Sequence, residues 1–179
     1  MLSWELLEKQ CLSCEKCGLC QTRKNVVFGV GPRDADIMFI GEGPGEQEDI
    51  QGDPFVGAAG KLLDDMLSII DLGRHNCYIA NIVKCRPPGN RDPKEEEQNA
   101  CAGYLENQIQ LIRPKILVCL GRIAVEHCYP VLLIALCPEI LQQGRTVHTT
   151  ESGTPDPAAK LRQLHHFHAA GENMDIFRP

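Results

Sequence analysis

The sequence predicts an α/β fold, a three-layer α/β/α arrangement with a central parallel sheet. Short apolar runs typical of strands alternate along the chain with segments of helical periodicity. Two of these runs, at residues 36–40 and 78–83, end in loops rich in glycine or proline, which is typical of the strand-to-loop edge of such folds. With 179 residues, 43% of them hydrophobic and 23% charged, the chain has the composition of one globular domain with a substantial core.

The first strand and the first long helix are predicted from their apolar patterns. Residues 36–40 read Asp-Ile-Met-Phe-Ile, a short apolar run that ends in Gly-Glu-Gly-Pro-Gly at 41–45. Residues 58–70 place leucine, isoleucine and methionine at every third or fourth position, which predicts a helix with one apolar face.

Two further strands and two further helices follow in alternation. A second strand is predicted over 78–83, and the Asp-Pro-Lys-Glu sequence at 92–95 supplies an N-cap, a proline at N1 and an acid at N3 for a helix starting there. A third strand over 116–120 leads into a helix at Gly121. Ligands of parallel sheets bind at the carboxyl ends of the strands, so we expect the functional residues at 41–45 and 81–86.

Charge and hydropathy limit the function classes. The net charge is −6, from 18 Lys and Arg against 24 Asp and Glu, which argues against nucleic-acid binding by bulk charge but allows a local basic groove. The first ten residues carry no secretory pattern, and no stretch approaches eighteen consecutive apolar residues. We therefore expect a cytoplasmic protein that is not associated with a membrane.

The cysteine content is the outlier of the composition, with ten cysteines in the chain. No oxidising compartment is indicated, so ligation of a metal or an iron–sulfur cluster is favoured over a disulfide framework. A Cys-x-x-Cys pair, Cys14 and Cys17, lies in a run with a cysteine at every third position. A zinc ion and an iron–sulfur cluster can each be bound by four thiolates, so the spacing alone is compatible with either cofactor. With zinc, the chain would be a zinc-stabilised nucleotide-binding domain.

Four segments together resemble one known family, the family-four uracil-DNA glycosylases, which contain an iron–sulfur cluster. These segments are Cys14-Glu-Lys-Cys17, Gly41-Glu-Gly-Pro-Gly-Glu-Gln-Glu-Asp49, Gly52-Asp-Pro-Phe-Val-Gly57 followed by Ala59-Gly-Lys-Leu-Leu63, and Tyr78-Ile-Ala-Asn-Ile-Val-Lys-Cys-Arg-Pro-Pro88 followed by Asn90-Arg91. Their common order along residues 1–129 makes the resemblance specific. It implies a uracil-DNA glycosylase-like fold.

The resemblance also implies a cofactor and its ligands. The family holds a [4Fe–4S] cluster on four cysteines, and the matching positions here are Cys14, Cys17, Cys85 and Cys101. Six cysteines remain without an assigned role. Cys11 and Cys20 are interpreted as spare thiols of the same run, and Cys77, Cys119, Cys128 and Cys137 as small buried hydrophobic residues.

The activity that the resemblance implies is hydrolysis of the N-glycosidic bond of deoxyuridine in DNA, which releases uracil and starts base-excision repair. Phe55 would stack on the uracil, Asn81 would hydrogen-bond its edge, and the backbone at Gly43 would approach the base closely. An acidic side chain would position water or stabilise positive charge on the sugar, with Glu48 the first candidate and Glu42 the second. Each residue also has a purely structural interpretation. Phe55 could be an aromatic residue of the core, Asn81 could cap a turn, and the acidic residues could belong to a solvated turn.

A local basic segment lies beside these residues and predicts the contact with DNA phosphates. It consists of Lys84, Arg86, Arg91 and Lys94, of which Arg86 and Arg91 are the favoured DNA-binding residues. The expected partner is uracil-containing DNA, bound by a monomer.

The pattern departs from the family after residue 129. The family is expected to continue into a His-Pro motif whose histidine stabilises the departing uracil anion, and none of the six histidines here precedes a proline. The nearest segment, 154–162, places Asp156 where the histidine belongs. We hypothesise a glycosylase domain at 1–129, incomplete at its C-terminus, and an atypical tail at 130–179 that is frame-shifted or disordered. The alternative function is a catalytically impaired iron–sulfur DNA-binding module of the same fold.

Overall fold

A computed structural model describes the backbone of residues 2–135 and the side chains of residues 2–128. Five α-helices and three strands lie in this part of the chain. The helices are α1 (Trp4–Leu12), α2 (Glu46–Gln51), α3 (Ala58–Ile69), α4 (Glu95–Ile112) and α5 (Arg122–Ala135), and the strands are β1 (Ile37–Gly41), β2 (Cys77–Asn81) and β3 (Ile116–Cys119). Expectations about Cys137 and the missing His-Pro motif lie outside the described residues.

The three strands form one parallel sheet in the order β2-β1-β3. Ile37 pairs with both Cys77 and Ile116, and the register brings Gly41 beside Asn81 at the carboxyl end of the sheet. The predicted parallel sheet is therefore confirmed, and its carboxyl edge carries the motif residues.

Both faces of the sheet are covered, which makes the three layers. Alternate strand residues point to opposite faces. One set, with Met38 and Tyr78, packs in a core shared with α1, α4 and α5, while Phe39 and Ile79 pack with Leu63 of α3. The α/β/α architecture predicted from the sequence is confirmed for the described residues.

The start of one helix differs from the sequence expectation. Helix α4 begins at Glu95 and not near Asp92, because Glu97 provides the N-terminal contact: its carboxylate accepts the Lys94 N–H at 2.8 Å. Helix α5 ends at Ala135, and the domain boundary at 129/130 stays a prediction. No helix within residues 2–135 is long and apolar enough to cross a membrane.

Candidate active site and cysteine pocket

An amide and an aromatic ring meet at the carboxyl edge of the sheet, directly over Gly41. A Cβ added to Gly41 would lie 2.5 Å from Asn81 Oδ1 and 2.5 Å from the ring atom Cζ of Phe55. Asn81 is 2% exposed, and its Oδ1 has no hydrogen-bond partner among the described residues. A buried polar atom without a partner is costly, so this oxygen is suited to a ligand that donates a hydrogen bond to it.

The backbone of Phe55 adopts an unusual conformation that sets the position of its ring. Its φ is +56°, in the left-handed region that aromatic residues rarely occupy. Arg74 Nη1 donates to the Pro54 carbonyl at 2.8 Å, and Arg74 Nη2 donates to the Phe55 carbonyl. Gly60 lies against the same carbonyl and leaves room for it, because a side chain there would collide with the Phe55 backbone.

Glu48, the first candidate for the acidic catalytic residue, holds the loop that follows Phe55. Its Oε1 accepts the Val56 N–H at 2.9 Å and the Gly57 N–H at 2.7 Å. These contacts fix the entry to α3. A catalytic role of Glu48 stays a prediction, and its observed contacts are those of a loop-positioning residue.

Glu42, the second candidate, directly follows β1 at the carboxyl edge of the sheet and is half-buried. Burial raises the pKa of its carboxyl group, Asp92 raises that pKa further, and Arg122 opposes the rise. Gly43 comes next, and a Cβ there would lie 2.7 Å from a methyl group of Val83, so the backbone needs a glycine here. The acid and the glycine are thus side by side at the edge that Asn81 occupies.

The four predicted cluster ligands line a single pocket. The loop after α1 supplies Cys14 and Cys17, the segment after β2 supplies Cys85, and α4 supplies Cys101. Cys11 and Cys20 line the same pocket. Within residues 2–128, no three His, Cys, Asp or Glu side chains are grouped so that they could hold a metal ion.

Two of these sulfurs accept hydrogen bonds from nearby N–H groups. The backbone N–H of Lys84 lies 3.3 Å from Cys101 Sγ, and Arg23 Nη1 lies 3.3 Å from Cys85 Sγ. Burial raises the pKa of Cys85 to about 11, while Arg23 lowers it. N–H donors at sulfur stabilise the thiolate, which is the form that binds metal.

The segment predicted to contact DNA divides into exposed and buried parts. Lys84 is 1% exposed, so its assignment to a surface basic segment was wrong: its ammonium donates to the Asn81 carbonyl at 2.9 Å and to Gln108 Oε1 at 2.7 Å. Arg91 is held by both carboxylate oxygens of Glu97, at 2.7 and 2.9 Å. Arg86 bonds to Asn90 at 2.7 Å.

Comparison with known proteins identifies the family. The model of the Uracil DNA glycosylase superfamily matches residues 28–173. The chain belongs to the uracil DNA glycosylase superfamily. The family resemblance inferred from the motifs is therefore confirmed, and the match extends past residue 129.

Several curated proteins with the name Type-4 uracil-DNA glycosylase are similar to this chain. That of Archaeoglobus fulgidus is 50% identical over 129 residues, covering 72% of this chain and 65% of the relative. That of Sulfurisphaera tokodaii is 52% identical over 130 residues, covering 72% of this chain and 59% of the relative. That of Thermotoga maritima is 48% identical over 121 residues, covering 68% of this chain and 63% of the relative. The chain thus spans about three fifths of the length of these relatives.

Sequence reasoning missed Arg74 at this superfamily site and gave Lys84 the wrong role, that of a contact with DNA. Arg74 holds the Phe55 loop, and Lys84 holds the backbone of Asn81 from inside the core. Arg74 lies outside the quoted motifs, and the motif that contains Lys84 does not indicate where its side chain points. Each of the two residues contacts a backbone carbonyl, which a sequence pattern does not reveal. Only the tertiary structure reveals them.

Proposed function

We propose that this chain is a uracil-DNA glycosylase that hydrolyses the N-glycosidic bond of deoxyuridine in DNA. One observation carries the proposal: the buried, unpartnered Oδ1 of Asn81 lies beside the Phe55 ring over Gly41. The similarity to proteins named Type-4 uracil-DNA glycosylase supports it.

The amide of Asn81 matches the Watson–Crick edge of uracil. Uracil presents an N3–H donor and an O4 acceptor, and an asparagine offers an acceptor oxygen and an NH₂ donor. A base that has left the DNA stack would place its N3–H against the unpartnered Oδ1 and its face against the Phe55 ring. Cytosine presents an acceptor at N3 and an amino group at C4, so it would repel the same oriented amide.

The reaction breaks the C1′–N1 bond, with the bonding electron pair leaving on uracil. Positive charge then develops on the sugar, and water adds at C1′ while its proton leaves, ultimately to the uracil. A carboxylate stabilises this charge and orients the water. Glu42 is our choice for that group because Glu48 already binds two backbone N–H groups. Gly43 keeps the backbone close to the sugar.

We propose that Cys14, Cys17, Cys85 and Cys101 hold a [4Fe–4S] cluster. All four thiols line one pocket, and two of the sulfurs accept N–H hydrogen bonds, which supports the proposal. When bound, the cluster supplies iron–thiolate bonds that join the loop after α1 to β2 and α4. An absorbance band near 400 nm would distinguish it from zinc.

DNA would approach the carboxyl edge of the sheet, where Arg86 and Arg91 lie. Arg86 is the better phosphate ligand, since its ion pair with Glu46 is long, at 3.7 Å, whereas Glu97 binds Arg91 through two close contacts. Phosphate contacts of this kind would position the strand without reading its sequence.

The test is a strand-cleavage assay on a duplex oligonucleotide with one uracil, followed by alkali to break the strand at an abasic site. We expect cleavage by the wild-type protein and a loss of about 100-fold or more in Asn81→Ala, because the amide is the group that reads the base. Asn107→Ala is the matched control, since Asn107 is half-buried and its side chain bonds within α4. Equal activity of both variants would contradict the proposal.

A second candidate function is supported by the sequence itself, in which no histidine precedes a proline. In this alternative, the chain binds uracil-containing DNA without turnover. This alternative would be established if the wild-type protein bound the uracil-containing duplex more tightly than the corresponding thymine duplex and cleaved neither.

A further inference from the structure

We propose that Arg74 is a positioning residue of the uracil pocket, which holds the Phe55 backbone so that its ring lies where the base stacks. The proposal rests on the proposed function and adds a residue to that site. Arg74 lies in the turn before β2, outside the motifs that suggest the activity. Its guanidinium reaches two successive carbonyl groups of the Phe55 loop, those of Pro54 and Phe55.

The first step of the argument is the conformation of Phe55. A φ of +56° is disfavoured for a residue with a large side chain, so the surrounding contacts must maintain it. In this conformation the ring reaches Gly41 and lies beside Asn81. A return to the common extended or helical region would swing the ring away from this place.

The second step is that Arg74 is itself fixed in place. Its Nε donates to Asp64 Oδ1 at 3.0 Å, and its Nη2 lies 3.3 Å from Asp64 Oδ2. Asp64 belongs to α3, so the ion pair ties the guanidinium to a helix that packs on the sheet. A planar guanidinium bound in this way presents its N–H groups in fixed directions, which a lysine cannot do.

The third step is that the two sides of the loop are held by different residues. Arg74 binds the carbonyl groups of residues 54 and 55, and Glu48 binds the N–H groups of residues 56 and 57. Gly60 leaves the space that the Phe55 carbonyl occupies. Removing Arg74 therefore frees the carbonyl side while Glu48 still anchors the amide side, so the expected change is local to Phe55.

The consequence is a defect in base recognition that differs from loss of folding. In Arg74→Gln, the Phe55 backbone would sample other conformations and the ring would cover the base for a smaller fraction of the time. We expect kcat/KM on uracil-containing DNA to fall about 10- to 100-fold, since displacement of a binding group by about 1 Å is enough for such a loss. Inhibition by free uracil should weaken in parallel. Arg74→Lys should recover only part of the activity.

A double-mutant cycle on the full-length, cluster-loaded protein tests whether Arg74 acts through Phe55. The variants are Arg74→Gln, Phe55→Ala and the double substitution, and each is assayed for kcat/KM and for inhibition by uracil. If Arg74 positions the ring, the double variant should be no worse than Phe55→Ala alone. Losses that multiply would overturn the proposal.

A matched control separates positioning from general stabilisation. Arg33→Gln also removes an arginine that forms ion pairs, here with Glu5 and Glu8 on α1, remote in sequence from the loop. We expect wild-type kcat/KM in Arg33→Gln, and similar melting temperatures in both arginine variants. An activity loss in Arg74→Gln that only follows a lower melting temperature, and disappears on assay well below it, would contradict the positioning role.

Crystal structures of the wild type and Arg74→Gln keep the inference testable if the wild type releases no uracil. Inactivity of the wild type would refute the proposed function alone. The positioning role requires that φ of Phe55 leaves the left-handed region, or that its ring leaves Gly41, in the variant. An unchanged Phe55 in both structures would overturn it.

Discussion

The ammonium of Lys84 donates to the backbone carbonyl of Asn81 at 2.9 Å, so a fully buried cation lies directly behind the residue that faces the candidate pocket. Lys84 also donates to Gln108 Oε1 at 2.7 Å, and Gln108 in turn bonds to Phe28 and Tyr78. Burial lowers the pKa of Lys84, and the surrounding cysteines oppose that shift. The end of β2 is thus supported by a polar network inside the core.

Removal of this cation should destabilise the protein. Lys84→Met keeps the volume of the side chain but leaves the Asn81 carbonyl and Gln108 Oε1 without their donor, at a cost of about 2 kcal/mol in the free energy of unfolding. Lys115→Met is the control, since Lys115 is exposed and its ion pair with Asp36 contributes about 1 kcal/mol at most. Urea unfolding measures both, and equal losses would contradict the role of the network.

A methyl group at Gly41 should obstruct the pocket. In Gly41→Ala the new Cβ would lie 2.5 Å from both the Asn81 oxygen and the Phe55 ring, so one of the two must move. We expect a loss of roughly 100-fold in kcat/KM, by the same sensitivity of catalysis to small displacements. Gly103→Ala, at an open position on α4, should leave activity unchanged. Full activity in Gly41→Ala would show that the two side chains do not form the pocket.

The acidic limb of the pH profile should report Glu42. If its carboxylate is required, activity falls as the pH drops through the pKa of Glu42, and burial places that pKa above the ordinary 4.5. Asp92→Asn should move the limb to lower pH, because it removes a charge that raises this pKa. Arg122→Gln should move it to higher pH. The measurement is kcat/KM against pH, and a limb that does not respond to either substitution would exclude Glu42 as the titrating group.

The cysteine assignment makes a prediction within one pocket. Cys85→Ser or Cys101→Ser should abolish the absorbance near 400 nm and reduce bound iron from about four atoms per chain to less than one. Cys20→Ser, which changes a thiol that also lines the pocket, should retain both. Iron analysis and absorbance of proteins purified without oxygen provide the test. Loss of iron in Cys20→Ser would mean that the ligand set is wrong.

The sheet could be predicted from sequence because its strands are short apolar runs that end in recognisable loops. Phe55 and Asn81 could be proposed together because each lies in a motif of the resemblance. The buried position of Lys84 could not be predicted. Its neighbours Arg86 and Arg91 are basic, which suggested a basic segment, and the residues that bury it, such as Gln108, come from a helix distant in sequence. The start of α4 was placed too early because Glu97, and not an earlier residue, accepts the helix-entry hydrogen bond.

Identification of the released product tests the central claim most directly. The wild-type protein, purified without oxygen, is incubated with a uracil-containing duplex, and both the free base and the abasic strand are quantified by chromatography with mass detection. We predict uracil and abasic sites in equal amounts, no base release from the thymine duplex, and a loss of product in Asn81→Ala. Absence of free uracil after incubation of the wild type with an excess of protein over DNA would contradict the proposed glycosylase function.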